Sequence, residues 1–199
     1  MSESEYFIHK SACVDTPCEI GRDSRIWHFS HVMSGVRIGH SCILGQNVYV
    51  DADVQIGNRC KIQNNVSVYK GVILEDGVFC GPSAVFTNVI NPRAFIERKD
   101  EFKPTRVGRG ATLGANCTIV CGCTIGAFSM IGAGAVITSD VPDFALVVGV
   151  PARQRGWICA CGIGLPDASG EEAELQCPAC QRQYRRAAGR LTALAEIEI

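Results

Sequence analysis

Aromatic side chains are scarce, only 7% of 199 residues, too few for the core of an ordinary mixed globular domain of this length. An excess of one charge is missing too: 19 basic residues face 20 acidic ones, a net charge of -1, which argues against a globally basic nucleic-acid binder. No run approaches the roughly 18 apolar residues that cross a bilayer. Residues 1–10 carry Glu3 and Glu5 where a leader peptide needs an apolar stretch, so the expectation is a cytoplasmic chain without membrane insertion. A composition that is 47% hydrophobic and 20% charged excludes disorder. What the chain has in quantity is glycine, 21 residues, and cysteine, 12 residues. In a reducing compartment that many cysteines serve packing or metal binding rather than disulfides.

A six-residue repeat organises most of the sequence. From Val14, every sixth residue is apolar through Ile20, Ile26, Val32, Ile38 and onward to Phe86, thirteen hits without a gap. Four residues after each hit stands a small or β-branched residue, as in Cys18, Ser24, Ser30, Val36 and Cys42. The phase is lost after Phe86 and returns, shifted, at Val107, Leu113, Ile119, Ile125, Ile131 and Ile137. A period of six fits neither an α-helix nor an alternating strand. It fits short strands joined by tight corners and wound into an all-β solenoid, a parallel β-helix with apolar columns along its axis. At three hexads per turn, nineteen hexads make about six turns and a prism on the order of 30 Å tall. Glycine follows the apolar position at Gly21, Gly39, Gly45, Gly57 and others, where it relieves backbone crowding. Cys18, Cys42, Cys60, Cys117 and Cys123 fall in the small inward column and Cys80 in the large one, which reads as core packing.

Three features depart from the repeat. Residues 88–106 form an excursion loop with two prolines; up to Arg109 the chain gathers Arg93, Arg98, Lys99, Lys103, Arg106 and Arg109 against Glu97, Asp100 and Glu101. A loop of this length is often functional, and its charge suits an anionic ligand, although a plain solvated loop has the same composition. At the prism's exit, Gly149-Val150-Pro151-Ala152-Arg153 is followed by Arg155, and guanidinium groups grip phosphate bidentately. The C-terminal extension, residues 151–199, is a small cysteine-rich tail in which Cys159-x-Cys161 and Cys177-Pro-Ala-Cys180 approximate the two knuckles of a zinc ribbon over 159–180. Reduced free thiols and disulfides are the alternatives there. Residues 181–199, basic and then apolar at Leu191, Leu194 and Ile197, read as a short terminal helix.

The pattern of an aliphatic residue, Gly, two variable positions and a small residue resembles the hexapeptide acyltransferases. That resemblance implies a left-handed coil over 14–150 after a lead-in of residues 1–13, and a homotrimer with active sites between prisms. It also implies acetyl-CoA as co-substrate, with Gly114, Gly132, Ala133 and Arg153 as its contacts. Many such enzymes use a histidine base, which draws attention to His28 and His31 among the four histidines. His28 heads a column continued by Gln46 and Asn64, with Asn47 and Asn65 beside them. Such a polar corner is either an asparagine ladder satisfying backbone groups or the lining of a ligand cleft.

The segments IWHFSH (26–31), GQNV (45–48), KIQNNVSVY (61–69), CGPSAVFTNV (80–89) and NPRAFIERKDEF (91–102) narrow the resemblance. Over about residues 6–160 the chain resembles the N-acetyltransferases of UDP-2-acetamido-3-amino-2,3-dideoxy-D-glucuronate, which serve O-antigen sugar biosynthesis. The resemblance implies that Asn88 orients the sugar amine and that no side-chain base is needed. The substrate-binding candidates are Arg93, Arg98, Lys99, Gln46, Asn64 and His28. A carbonic anhydrase on the same prism would need three zinc-binding histidines in a trimer cleft, and all four here precede position 41. A non-catalytic scaffold would need neither the cationic loop nor the exit segment.

Overall fold

The computed structural model describes residues 5–167 and 170–199. Residues 1–4 of the expected lead-in, and residues 168–169 within the expected ribbon, lie outside them. Each hexad contributes a two-residue strand such as Arg25–Ile26, His31–Val32 or Arg37–Ile38, and consecutive strands fall on three different sheets. Within a sheet all hexad strands are parallel, eighteen residues apart as in Arg25↔Ile43 and Ser67↔Tyr49, or thirty-three apart where the pair spans the excursion, as in Phe79↔Thr112. The result is a parallel β-solenoid, with one 3-10 turn at Lys99–Glu101 as the only helical element among the described residues.

The first face is longer than the hexads alone foretell. It begins with Phe7–Ile8 and ends with Ala145–Val148, which makes eight coil levels rather than six and a height of about 34 Å. Ile8, six residues before Val14, is in phase with the apolar series but exposed like Phe7, whereas Ala145–Val148 lies outside the series. They join because an unfinished coil offers unpaired backbone groups that the flanking chain can satisfy. The strand Arg153–Trp157 then turns back antiparallel onto Ala145–Val148 and terminates that edge.

Ile26, Leu44, Ile62, Cys80, Leu113 and Ile131 stack in one column, each at most 1% exposed. The small column does more than fill space. Cys18 Sγ donates to Met33 O, Ser24 Oγ to Gly39 O, Ser30 Oγ to Gly45 O, Cys42 Sγ to Gly57 O and Cys60 Sγ to Glu75 O. Every one of these bonds spans fifteen residues, so serine and cysteine are interchangeable here as small donors to a corner carbonyl of the next coil. That adds a hydrogen bond to the packing role read from the sequence. Burial pushes the Cys80 thiol up, and that of Cys117 up to about 11, so both are protonated core groups at neutral pH.

Corners require a left-handed residue, and its period is again six. Asp23, Phe29, Ser41, Asn47, Asp53, Arg59 and Asn65 all have φ between 56° and 62°, and Gly35, Gly71 and Gly77 occupy the same position elsewhere. Glycine therefore has two separate jobs. At Gly81 a Cβ would lie 2.7 Å from Ala115 N and Leu113 O, so the constraint is contact with the next coil. At Gly134 nothing lies within 4 Å, and the constraint is φ of +69°.

The C-terminal residues form an antiparallel sheet of Ala173–Gln176, Gln183–Ala187 and Arg190–Ala193 instead of the expected helix. Ala188 and Gly189, with φ of 48° and 69°, make the two-residue turn whose twist suits a hairpin. Tyr184 and Leu191 are inward and buried while Gln183, Arg185 and Arg190 are exposed, an alternation that outweighs the weak helical spacing. This sheet docks on the last coils through Phe128, Phe144 and Tyr184: the two phenylalanine rings stack at 5.3 Å, and Tyr184 meets Phe144 edge-on.

The two glycine roles predict different costs. Gly81→Ala, which drives a methyl into backbone, should cost about 2–3 kcal/mol, and Gly134→Ala, which only strains φ, about 1–2 kcal/mol. Thermal unfolding followed by circular dichroism should show the larger drop in midpoint for Gly81→Ala; equal drops would remove the distinction.

Candidate functional site

The excursion leaves the solenoid after Val85–Phe86 and returns at Thr105–Val107, where Leu74 pairs with Val107, thirty-three residues on instead of eighteen. It is thus a fifteen-residue insertion into one coil, closed at its neck by Lys103 N donating to Asn88 O at 3.0 Å. Thr87 Oγ1 accepts from Cys121 N at 3.0 Å, tying the strand end to the next coil. Asn88 is half-buried, with its backbone fixed at the junction of rigid prism and loop.

Most of the loop's positive charge has an internal partner. Arg98 Nη1 donates to both carboxylate oxygens of Glu101, Lys99 meets Glu97 at 2.9 Å, and Arg106 pairs with Glu75. The Arg109 guanidinium lies 5.2 Å from the centre of the Phe128 ring. Arg93 is exposed and donates to its neighbour's carbonyl, Pro92 O; it has no acidic partner among the described residues. Lys103 lines a hollow of about 370 Å³ together with Ile90, Asn91 and Glu101. Phe95 is 84% exposed at the loop's surface.

The other candidates share one corner. His28, Gln46 and Asn64 follow strands of the first face, and so do Gly114, Ala115, Gly132 and Ala133, because the insertion has reset the spacing. They form a continuous column on the edge between the first and second faces. Gly114 sits directly against Gly132 and Ala133: a Cβ on it would be 2.6 Å from Ala133 N. In this column Asn64 Oδ1 accepts from Gln46 N at 2.8 Å, and beside it Asn47 Nδ2 donates to Asn65 Oδ1 at 3.0 Å. The asparagine amides therefore form a ladder along the corner. The His28 ring stacks on His9 at 3.6 Å. Asn88 lies across the second face, on its opposite edge. Within one chain, the second-face strands His31–Val32 and Val85–Phe86 are three rungs apart, so His31 is about 14 Å along the axis from the Asn88 junction.

Val150–Pro151 is a cis peptide bond, after which Ala152 N donates to Val136 O. That contact places Arg153 against the last strand of the second face, where it is exposed and donates to Ala152 O.

In the tail, Cys159, Cys161, Cys177 and Cys180 come together, with all four sulfurs within 4.8 Å of one another. Cys159 Sγ is 3.4 Å from Cys180 Sγ, and Cys161 Sγ is 3.6 Å from Cys177 Sγ. A tetrahedral zinc with bonds of 2.3 Å has sulfur–sulfur edges of about 3.8 Å, so the four thiols fit such an ion. Buried Tyr184 braces the cluster: Ala160 N donates to its hydroxyl at 3.0 Å, and the hydroxyl contacts Cys159 Sγ at 3.1 Å. Neither that tyrosine brace nor the common corner column is visible in hexad spacing alone. Counting eighteen-residue steps across the fifteen-residue insertion would have exposed the column.

The solenoid and its repeats define a class of hexapeptide-repeat transferase. Residues 17–52 and 104–139 match the bacterial transferase hexapeptide family, and residues 35–70 the hexapeptide repeat of succinyl-transferase. The chain is 38% identical over 160 residues to a dTDP-3-amino-3,6-dideoxy-alpha-D-galactopyranose 3-N-acetyltransferase of Aneurinibacillus thermoaerophilus, covering 80% of this chain and 82% of that one. It is 32% identical to a serine acetyltransferase of Bacillus subtilis over 62% of this chain and 49% of that one. Among solved structures it resembles a hexapeptide-repeat acetyltransferase of Vibrio cholerae complexed with acetyl coenzyme A, with a TM-score of 0.53 and 28% identity over 62% of this chain and 70% of that one. This chain belongs to the hexapeptide-repeat acetyltransferase family and is an acyltransferase.

Proposed function

We propose that the chain transfers an acetyl group from acetyl-CoA to the amino group of a nucleotide-linked amino sugar, with a UDP-linked 3-amino-uronate as substrate, in O-antigen sugar synthesis. The observation that supports this reading most directly is the placement of the candidates on the two edges of the second face. The column from His28 to Ala133 runs along one edge, and the Asn88 junction with its cationic loop stands on the other. In a homotrimer the loop edge of one prism would face the column edge of its neighbour, completing a cleft. Gly114, Gly132, Ala133 and Arg153 then serve coenzyme A, whose phosphates suit the exposed guanidinium. His28, Gln46, Asn64, Arg93, Arg98 and Lys99 serve the sugar nucleotide.

The chemistry needs little from the protein beyond placement. A neutral sugar amine attacks the thioester carbonyl; the C–N bond forms, the C–S bond breaks, and the amine proton leaves to the thiolate or water. Positioning supplies roughly 7–11 kcal/mol, against about 3–5 kcal/mol for a general base worth 100- to 10,000-fold. Asn88 is suited to aim the amine lone pair by accepting a hydrogen bond, because its amide oxygen cannot take the proton. The 38% identity to an enzyme named for a dTDP-linked 3-amino-3,6-dideoxyhexose favours a second reading, a neutral deoxyamino sugar in place of the uronate.

The two readings part at Arg93, the loop guanidinium without an acidic partner among the described residues. Loss of a charged partner costs about 1.5–3 kcal/mol, or about ten- to a hundredfold in kcat/KM. If Arg93 grips the C6 carboxylate, Arg93→Ala should impose that loss on the UDP-amino-uronate and spare the neutral amino sugar. Equal losses on the two sugars would mean that Arg93 grips only phosphate and would remove it as the carboxylate partner. Asn88→Ala should lower kcat by about tenfold or more while leaving coenzyme binding unchanged, and unchanged turnover would remove it from the reaction.

Sedimentation should report about three times the 21.4 kDa chain mass. A monomer at micromolar concentration would exclude a cleft built from two prisms.

We also propose that Cys159, Cys161, Cys177 and Cys180 hold a structural zinc, which ties the small C-terminal sheet to the end of the solenoid. Such an ion contributes roughly 10–16 kcal/mol of apparent folding energy to a small module. Cys177→Ser should lower bound zinc by one equivalent per chain and make the tail susceptible to proteolysis. An unchanged zinc content would place the metal elsewhere.

A further inference from the structure

A second group of metal-ligating side chains lies at the other end of the molecule. Cys13 and His31 are register partners on neighbouring coils of the second face, and both point outward while Val14 and Val32 turn toward the core. Asp15 follows the first of these strands, its backbone N–H held by Val32 O at 2.9 Å. Its carboxylate reaches both partners: Oδ2 is 3.0 Å from His31 Nε2, and Oδ1 is 3.7 Å from Cys13 Sγ. The three ligand atoms lie within 4.8 Å of one another.

The donor set is the one a zinc-type cation takes. A tetrahedral ion with bonds of about 2.0–2.3 Å has ligand–ligand edges of about 3.3–3.7 Å, close to the 3.0 and 3.7 Å separations present before any ion draws the groups together. Thiolate and carboxylate together carry two negative charges, which balance a divalent cation. A mixed thiol, imidazole and carboxylate set favours zinc over magnesium or calcium, which prefer oxygen ligands throughout. The ring of His31 is braced from the next coil by the edge of Tyr49 at 5.9 Å, and the Tyr49 hydroxyl is itself engaged with Met33 Sδ. The further outward residues of this column, Tyr49, Ser67, Val85, Thr118 and Val136, do not repeat the set, so it is not a by-product of the hexad pattern.

We propose that Cys13 Sγ, the Asp15 carboxylate and His31 Nε2 bind one zinc ion per chain, with its fourth position open to water or an exogenous ligand. Cys13 is exposed and the other two are half-buried, so the ion has free access from solvent. Three protein ligands and an open position mark an exchangeable or reactive zinc rather than a closed structural one.

The test is metal content per chain in the whole 199-residue chain and in its variants Cys13→Ser and His31→Ala. Each is loaded with a slight excess of zinc chloride, passed through a metal-free gel-filtration column and analysed for zinc. All three side chains lie on the surface of an otherwise unchanged coil, and circular dichroism checks that the variants stay folded. The expected result is two equivalents in the parent chain and one in each variant. If the parent chain holds one and both variants hold none, this site stands and the zinc reading of the tail fails. One equivalent in all three proteins assigns the metal to the tail alone and overturns the proposal. Two equivalents in all three, or none in any, overturn it as well.

Discussion

Every feature of this molecule depends on one constraint: parallel strands only two residues long must stack at about 4.8 Å with no hairpin to hold their register. A strand that short makes few ladder bonds of its own. Register is therefore held by the corners and the interior together. The inward aliphatic column excludes water, left-handed corner residues at every sixth position turn the chain, and inward Ser and Cys side chains close on corner carbonyls fifteen residues ahead. A one-residue slip would disturb all three sets at once, so the repeat tolerates large insertions far better than small ones.

The loop shows how such an insertion is accommodated. Fifteen added residues leave Leu74 and Val107 paired as any other rung, because the neck at Asn88 and Lys103 closes before the next strand begins. The insertion can vary without disturbing the solenoid, while Asn88, at its root, is held by the rigid part. Candidate residues at the root of the loop thus inherit their position from a scaffold that the loop does not help to build. Internal ion pairs lower the loop's available charge and leave Arg93 and Lys103 as the cations without acidic partners among the described residues.

The two ends of the solenoid face the same difficulty, an open coil with unpaired backbone and uncovered side chains, and meet it differently. At the C-terminal end a small sheet sets Tyr184 edge-on against Phe144, which is stacked on Phe128, and four thiols come together beside it. At the N-terminal end no comparable cap appears among the described residues; Phe7 and Ile8 pair with the first full coil and remain exposed. Terminal repeats of a solenoid commonly carry such specialised covers, since an interior repeat would leave its apolar face in water.

The sequence by itself determined the repeat, the three-sided parallel solenoid, its two inward columns, the position of the excursion and the pairing of cysteines into two knuckles. Each is a local periodicity or spacing, and local periodicity survives in one dimension. It misjudged the number of coils, because counting from Val14 left out Ile8, one period earlier, and because Ala145–Val148 joins the first face out of phase, through backbone pairing that no side-chain pattern announces. It misread residues 181–199 as a helix, because the burial of Tyr184 and Leu191 and the turn at Ala188 and Gly189 decide for a hairpin only when the solenoid's end supplies Phe144 to pack against. Only the tertiary structure, by setting the length of the insertion, added Ala133 to the corner already shared by His28, Gln46 and Asn64, since the loop shifts the register between Asn64 and Ala133. It alone brought Cys13, Asp15 and His31 within reach of a single ion. Contacts between residues eighteen or thirty-three positions apart belong to the winding of the chain, and the winding exists only in three dimensions.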